Sequence, residues 1–297
     1  MKIFDCFMYF DEDVVLDLRL NYLSQYIDKF VIVESRYNHR GEKRNPQFNL
    51  KKFQKFKEKI NYILIDKEPE GIEEVNDNDS HEEKSRKFII NAAKRENFQR
   101  NIISQGIIEA DDNDWILISD LDEIPNLEKN DLKKFTSPLV FFKQHMIYYK
   151  FNLLLENYSW LGTKACKKKN LKTPQWIRNI KDRPYSWWRI DTYFSNIKYT
   201  NIKIIEQGGW HFSYIKSPED IEKKLKSYLH HREYDVNPVG VENIRQIINN
   251  KKTIYDLKAD KRANKFESSN KLIKIDLSLL PSYVSENKDK FSEWIEK

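Results

Sequence analysis

The sequence predicts a doubly wound α/β domain that continues into a helical C-terminal extension. Short apolar runs rich in Val, Ile and Phe alternate with segments in which apolar residues recur at helical spacing. Several of these runs are apolar without interruption, which is typical of strands covered by helices on both faces of a sheet. At 297 residues, the chain is long enough for one such domain with an appendage.

The first elements give a clear strand-helix-strand pattern. The run Lys2–Phe10 predicts a strand, and the acidic triplet that begins at Asp11 predicts the start of a helix. Apolar residues at helical spacing continue this helix through Asp28. The runs Lys29–Glu34 and Asn61–Asp66 predict the next two strands. This order is the repeating unit of a doubly wound sheet.

The middle of the chain predicts a long helix followed by more of the sheet. An acidic, polar loop is expected at Glu70–Ser85, and the longest helical pattern spans Glu82–Ala110. The run Trp115–Ser119 predicts another buried strand. Pro138–Lys150 and Asp191–Gln207 are rich in residues that favour strands and would extend the sheet, whereas the segment between them is irregular.

The C-terminal part of the chain predicts helices. Ser217 precedes Pro218 and two acidic residues, which is a composition typical of a helix start. From about Ile247 the chain is rich in Lys and Asn, and Ser285–Lys297 predicts a last helix. We therefore expect a main domain at residues 1–228 and a helical extension at 229–297, packed on the same domain.

The composition restricts the class of protein. Charged residues make up 33% of the chain and the net charge is +6, a mildly basic balance that suits an anionic ligand. The two cysteines imply neither a disulfide framework nor a cysteine-based zinc site. Asp5 interrupts the apolar stretch that a signal peptide would need, and no apolar run approaches the ~20 residues that span a bilayer. We therefore expect a soluble, cytoplasmic protein without a transmembrane anchor.

Two carboxylates directly follow the predicted strand Trp115–Ser119. Asp120 and Asp122 are two positions apart, so on an extended chain they share one face. Ligands of open α/β sheets bind at the carboxyl ends of the strands. An Asp-x-Asp pair also occurs in ordinary acidic turns, but its position after a buried strand favours a site. The pair predicts a site for Mg²⁺ or Mn²⁺, or for a cation and a ribose.

The long helix has a polar interruption in its apolar face. The apolar rows at its two ends pass through Arg95, Glu96, Gln99 and Arg100 in the middle. Polar groups on an inward face need partners. The sequence leaves two alternatives open: an internal salt bridge, or an anionic ligand held by the arginines.

Two further residues are candidates because each lies close to the end of a predicted strand. Glu34 ends Lys29–Glu34, where its carboxylate would accept a hydrogen bond from a nucleoside hydroxyl or base. His211 follows Gly208 and Gly209, and paired glycines permit a close approach of the backbone. A neutral imidazole at this position is either a metal ligand or a structural histidine.

A basic segment precedes a cluster of aromatic residues. Cys166–Arg183 contains seven Lys or Arg residues against one Asp, and Tyr185–Arg189 follows with two tryptophans. Basic residues interleaved with aromatic ones also suit single-stranded nucleic acid. We assign the segment instead to the site of Asp120 and Asp122, where it would contact either a diphosphate or the acceptor substrate of a transfer reaction. We expect no nucleic-acid partner.

Five motifs resemble, in order, those of family 17 glycosyltransferases. They are DCFMYFDED, FVIVES, the REN-x-QR stretch beginning at Arg95, WILISDLDEIP and GGWHFSY. The resemblance covers about Ile3–Tyr214, and the family includes the β-1,4-mannosyl-glycoprotein 4-β-N-acetylglucosaminyltransferase. It implies a GT-A-like fold, which is a Rossmann-type mixed sheet flanked by helices, with residues 1–228 as the catalytic domain. It further implies a UDP-sugar donor, with GlcNAc as the expected sugar, Mn²⁺ or Mg²⁺, and inversion at the anomeric carbon.

The resemblance and the residue patterns together suggest roles for the candidates. Asp122, assisted by His211, would hold the metal that neutralises the UDP leaving group, and Asp120 would hold the metal or the ribose. Nucleotide or diphosphate binding is assigned to Glu34, Arg95, Gln99 and Arg100.

A carboxylate must also deprotonate the acceptor hydroxyl of the glycan. Asp191 is the leading candidate because it adjoins the aromatic cluster, and Glu123 and Glu206 are its rivals. Two other classes remain open: a metal-dependent nucleotidyl or phosphoryl transferase, and a glycan or nucleic-acid binder without activity. The chain lacks a Gly-x-x-x-x-Gly-Lys-Ser/Thr loop, which counts against the first of these.

Overall fold

Ten strands and seven α-helices are present in the part of the chain that the computed structural model describes, namely residues 1–181, 183, 185–192, 194–228, 231–256, 266 and 270–297. The strands are β1 (Ile3–Tyr9), β2 (Lys29–Ser35), β3 (Ile60–Ile65), β4 (Trp115–Asp120), β5 (Glu123–Pro125), β6 (Leu139–Tyr148), β7 (Leu153–Lys167), β8 (Ile202–Ile205), β9 (Gly209–Ser213) and β10 (Leu272–Lys274). The helices are α1 (Asp13–Leu23), α2 (His81–Gly106), α3 (Pro174–Asn179), α4 (Pro218–Ser227), α5 (His231–Val236), α6 (Val241–Asn249) and α7 (Ser282–Glu286).

The strands form one mixed sheet in the order β3-β2-β1-β4-β7-β6-β9-β5, with β8 paired to β6 and β10 to β7. Strands β3, β2, β1 and β4 are parallel to one another, whereas β7 is antiparallel to both β4 and β6. Strands β2 and β3 lie on one side of β1 and β4 lies on the other. The chain therefore changes direction across the sheet between β1 and β4, and such a switch point leaves a crevice at the carboxyl ends of the strands.

The parallel half of the sheet is covered on both faces, as its uninterrupted apolar strands predict. Side chains of β1 alternate between the faces: Ile3 and Phe7 pack in the core that includes α1, while Phe4 and Cys6 pack in the core that includes α2. Helix α2 begins with a capping box in which Ser80 and Glu83 satisfy each other's backbone N–H groups. The predicted α/β class with a mixed sheet and flanking helices is thus confirmed.

Three sequence predictions about individual elements are wrong. The segment predicted to be irregular contains the long strand β7, which sequence reasoning missed because its middle is polar and partly exposed and Asn157 interrupts it with a φ of 58°. Among the described residues of the segment Asp191–Gln207, only Ile202–Ile205 is a strand. The last helix predicted at Ser285–Lys297 is replaced by the shorter α7 and a 3-10 turn at Ser292–Trp294.

The residues after position 229 include a strand as well as helices. Strand β10 pairs with β7 in the central sheet, and the indole Nε1 of Trp210 on β9 donates to the carbonyl oxygen of Leu279 at 2.8 Å. Among the residues described, none of the helices is both long enough and apolar enough to pass through a membrane.

Candidate functional site

A cleft of about 470 Å³ opens at the carboxyl ends of β1, β2 and β4. The last residues of these strands, Tyr9, Ser35 and Asp120, line its floor. Side chains from four other elements complete its walls: Gln99 and Arg100 on α2, Gln175 and Arg178 on α3, His211 on β9, and Lys224 on α4. The cleft therefore lies where the switch between β1 and β4 predicts a ligand site.

The carboxylate of Asp120 is held between two guanidinium groups. Its Oδ1 lies 3.0 Å from Nη2 of Arg100, and its Oδ2 lies 3.1 Å from Nη2 of Arg178. Burial raises the pKa of Asp120, but the charges of Arg178 and Arg100 outweigh burial and lower it overall. Because each oxygen already pairs with a guanidinium, a metal or a ribose would have to share this carboxylate with two arginines.

Glu123 lies beneath the cleft, completely buried, and its hydrogen-bonding capacity is used by protein groups. Arg178 donates to both of its carboxylate oxygens, at 2.7 and 2.9 Å, in a bidentate pair. The indole Nε1 of Trp160 donates to Oε1 at 2.7 Å, and the backbone N–H of Asp120 donates to Oε2 at 2.9 Å. Glu123 is therefore placed to hold Arg178, Trp160 and the turn at residues 120–123, called the acidic turn, while its role as a catalytic base stays a prediction.

Asp122 faces the cleft and lies close to a histidine and a lysine. Its Oδ1 lies 3.4 Å from Nε2 of His211, and its Oδ2 lies 3.4 Å from Nζ of Lys224. Lys224 in turn lies 3.3 Å from Oε1 of Glu12. Burial raises the pKa of Asp122, but Lys224 and His211 lower it well below its usual range. Burial lowers the pKa of His211, and the charge of Asp122 raises it overall.

The backbone at Gly209 brings His211 to Asp122. Strand β9 pairs with β5, with His211 opposite Glu123, and the N–H of Phe212 donates to the carbonyl oxygen of Asp122 at 2.8 Å. Gly209 has a φ of 144°, and a Cβ there would lie 2.2 Å from the carbonyl oxygen of Ile124. Only glycine fits this approach, as the Gly-Gly-Trp-His segment predicts.

Arg19 on α1 fixes the acidic turn from behind, a role that sequence reasoning missed. It is completely buried and forms an ion pair with the equally buried Asp5. Its Nη1 donates to the carbonyl oxygens of Asp120, Leu121 and Glu123 at 3.1, 2.9 and 2.8 Å. One guanidinium thus orders the backbone that presents the carboxylates. The signal in the sequence is a charged residue within the apolar face of a helix.

Gln99 and Arg100 line the cleft, whereas Glu34 and Arg95, which were also assigned to nucleotide binding, do not. The carboxylate of Glu34 is completely buried and accepts hydrogen bonds from the backbone N–H groups of Gln47 and Phe48 at 2.7 and 3.0 Å. Arg95 pairs with Glu68 at 2.5 Å. Both side chains are therefore held by the loops beside the cleft, and their assignment to nucleotide binding stays a prediction.

The structure brings neither Asp191 nor Glu206 to the cleft, so their roles as bases stay predictions that the cleft lining does not support. The side chain of Asp191 is 42% exposed in a 3-10 turn, where Arg189 and Lys198 each lie 2.8 Å from its Oδ2. Glu206 follows β8 with its side chain 68% exposed, and pairs with Lys143 at 2.9 Å. The cleft is lined instead by four other carboxylates: Glu12, Glu96, Asp120 and Asp122.

The metal ligands predicted from sequence come together only in part. Among the described residues, no group of three or more His, Cys, Asp or Glu side chains is arranged to hold a metal. Asp122 and His211 are adjacent, and the buried Nδ1 of His211 has no hydrogen-bond partner. Mg²⁺ and similar ions are often bound by one or two protein ligands together with substrate phosphates and water. The pair fits an ion that binds with a phosphorylated ligand, and Asp120 fits less well.

Comparison with protein families gives one match, which extends over nearly the whole chain. The family model described as glycosyltransferase family 17 matches residues 1–295. The match includes the elements that build the cleft and also the C-terminal residues that join the sheet through β10. No curated protein matches the chain.

Proposed function

Because the chain belongs to glycosyltransferase family 17 and is therefore a glycosyltransferase, we propose that its cleft transfers a sugar, GlcNAc, from UDP to a glycan with inversion. Asp122 between His211 and Lys224, at the switch point of the sheet, is the observation that carries this proposal. The sheet has four parallel strands, β3, β2, β1 and β4, followed by a mixed half, and this arrangement supports a GT-A-like fold. We assign catalysis to residues 1–228, with 229–297 packed on that domain.

Asp122 and His211 are the residues that would hold Mn²⁺ or Mg²⁺ together with the donor diphosphate. When bound, such an ion neutralises the charge that develops on the leaving UDP. Lys224 adds a fixed positive charge at the same place. Burial lowers the pKa of Lys224, but Asp122 and Glu12 raise it well above its usual range, so its ammonium group stays protonated. The oxygens of a diphosphate bound here would replace the carboxylates of Asp122 and Glu12 as partners of Lys224.

We place the nucleoside at the carboxyl ends of β1 and β2. Phe10 and Tyr37 line this part of the cleft and offer aromatic faces for a base. The guanidinium of Arg44 lies 4.1 Å from the ring centroid of Phe10, which fixes that ring. Ser35 and Gln99 supply polar groups for the ribose and the base.

The acceptor would bind beside Trp160, whose ring lines the cleft 5.4 Å from that of His211. An indole face suits the apolar face of a pyranose. The attacking hydroxyl needs a base. Glu12 and Glu96 line the cleft and supply carboxylates besides the two aspartates.

The donor assignment is tested by thermal unfolding of the full chain with UDP, CDP, GDP or ADP, each with Mn²⁺ or with EDTA. A ligand that binds only the folded state stabilises it by about 2.7 kcal/mol at 100 times its dissociation constant. We expect UDP with Mn²⁺ to stabilise the protein most. Equal stabilisation by UDP in EDTA would refute metal-assisted binding, and stabilisation by another nucleotide alone would refute the UDP donor.

Asp122→Asn tests the site itself and keeps the shape of the side chain. We expect this variant to lose the Mn²⁺-dependent part of the UDP effect and to lower turnover of a UDP-sugar at least about 100-fold, as expected for loss of metal-ion charge stabilisation. Asp66→Asn is the matched control, because Asp66 is exposed and lies outside the cleft lining. If Asp122→Asn behaved like the control, the metal assignment would be wrong.

A further inference from the structure

Four large apolar side chains lie exposed on one short loop after α3. Trp187 is 74% exposed, Trp188 65%, Ile190 73% and Phe194 86%. We call these four residues the apolar loop. The other exposed large apolar residues of the described chain, such as Ile108, are scattered through the sequence. Clustered apolar exposure of this kind marks an interaction surface.

The apolar loop is held by the fold at its base. The N–H of Lys181 donates to the carbonyl oxygen of Ile197 at 2.8 Å, and the N–H of Tyr185 donates to that of Tyr199 at 3.3 Å. Tyr185 itself is only 8% exposed. The segment thus leaves and re-enters the domain at fixed points and carries its apolar side chains outside the core.

Cationic side chains surround the apolar loop. In the sequence, positions 181–199 carry four cations, Lys181, Arg183, Arg189 and Lys198, against two acids, Asp182 and Asp191. Arg183, Arg189 and Lys198 lie 5.2, 5.3 and 5.8 Å from the ring centroid of Tyr185 at the base of the loop, where Asp191 pairs with Arg189 and Lys198. In a bilayer, the apolar side chains of the loop would reach the acyl chains. The cations at its base would lie among anionic headgroups.

We propose that the apolar loop docks the protein on the surface of an anionic lipid bilayer. Trp is enriched at membrane interfaces, and Ile and Phe add apolar area without any hydrogen-bonding group. A glycan partner would use the three aromatic rings but gain little from Ile190, whereas a bilayer accepts all four apolar side chains, which favours lipid. Asn179 lines the cleft two residues before Lys181, so docking would bring this rim of the cleft towards the headgroups.

The test is sedimentation of the full chain with vesicles of phosphatidylcholine, alone or mixed with phosphatidylglycerol. We expect binding to the mixed vesicles at low salt, and weaker binding as salt screens the cations. The double variant Ile190→Ser with Phe194→Ser keeps every charge and both tryptophans. It should bind at least about tenfold more weakly, because it removes two of the four apolar side chains that would enter the bilayer. The single variant Phe194→Ser should bind with intermediate strength.

Ile108→Ser is the matched control, since Ile108 is 77% exposed and lies outside the apolar loop. It should bind vesicles as the unaltered protein does. The proposal is overturned if the unaltered protein stays in solution with mixed vesicles at low salt, or if the double variant binds equally well. A dimer in sedimentation velocity that the double variant abolishes, without vesicle binding, would assign the loop to a second copy instead. None of these measurements depends on sugar transfer, so the proposal stands apart from the proposed function.

Discussion

Nη1 of Arg19 donates a hydrogen bond of 3.1 Å to the carbonyl oxygen of Asp120, although the two residues are 101 positions apart in the chain. The same group also holds the carbonyl oxygens of Leu121 and Glu123. Because Arg19 is completely buried, it cannot touch a ligand. It acts on the site only by ordering the turn that carries Asp120 and Asp122.

Arg19→Met is expected to destabilise the protein by about 3–5 kcal/mol, because it leaves the carboxylate of Asp5 buried without its partner. The double variant Asp5→Asn with Arg19→Met removes that buried charge and should recover part of the stability. Its turnover should stay low, since the three carbonyl oxygens still lack their donor. Urea unfolding and steady-state kinetics measure the two effects. Recovery of both together would show that Arg19 serves stability alone.

The bidentate pair of Arg178 and Glu123 gives a second prediction. Arg178→Lys keeps the charge but loses the planar fork that binds Glu123 and Asp120 together. We expect turnover to fall about tenfold or more. Glu123→Gln keeps one carbonyl acceptor and should fall less than the roughly 100- to 10,000-fold that loss of a general base costs.

The pH profile separates the two roles of Glu123. A positioning residue leaves the acidic limb of kcat/KM in place when it is replaced by Gln, whereas a base removes that limb. We expect the limb to remain in Glu123→Gln. Its disappearance, together with a loss of 100-fold or more, would restore Glu123 as the base that the sequence suggested.

The part of the site that sequence predicts is the part built from strand ends. Asp122 follows an apolar strand, and His211 follows paired glycines next to another strand, so both could be placed at one edge of a sheet. The β5–β9 pairing then brings them within 3.4 Å. The parallel strands β1 to β4 were predictable for the same reason, because burial on both faces leaves an uninterrupted apolar run.

The remaining contacts depend on tertiary pairing that no local pattern reveals. Lys224 lies 102 positions from Asp122, and Arg178 lies 58 positions from Asp120. Both belong to segments rich in Lys and Arg, where the sequence gives no reason to prefer one cation over its neighbours. Glu34 shows a different kind of error. It lies next to the end of β2, at the edge of the sheet where the cleft opens, but its carboxylate holds the loop at Gln47.

His231 gives a prediction about pH and stability. The residue is 1% exposed, its Nδ1 bonds to the carbonyl oxygen of Tyr228 at 2.9 Å, and burial lowers its pKa. Below the unfolded pKa of about 6.5, the unfolded chain gains a proton that the folded protein resists. Stability should therefore fall as the pH drops from about 7 towards the lowered folded pKa.

His231→Leu cannot take up this proton, so its free energy of unfolding should depend less on pH than that of the unaltered protein. Urea unfolding at several values between pH 5 and 7.5 gives the two slopes, a range that spans the ordinary histidine pKa of about 6.5. His81→Gln is the control, because His81 is exposed. Identical slopes for the unaltered protein and His231→Leu would show that His231 is protonated equally in the folded and unfolded states.

Asp191 is the residue whose predicted role differs most from its position in the structure. Sequence reasoning made it the leading base because it adjoins Trp187 and Trp188, yet its carboxylate is held at the surface by Arg189 and Lys198. Asp191→Asn should therefore keep turnover within about twofold, whereas removal of a base costs roughly 100-fold or more. The assay needs a water-soluble acceptor, so that any change in the neighbouring apolar loop does not alter access to substrate. A loss of 100-fold would mean that the loop folds over the cleft during transfer and brings Asp191 to the acceptor.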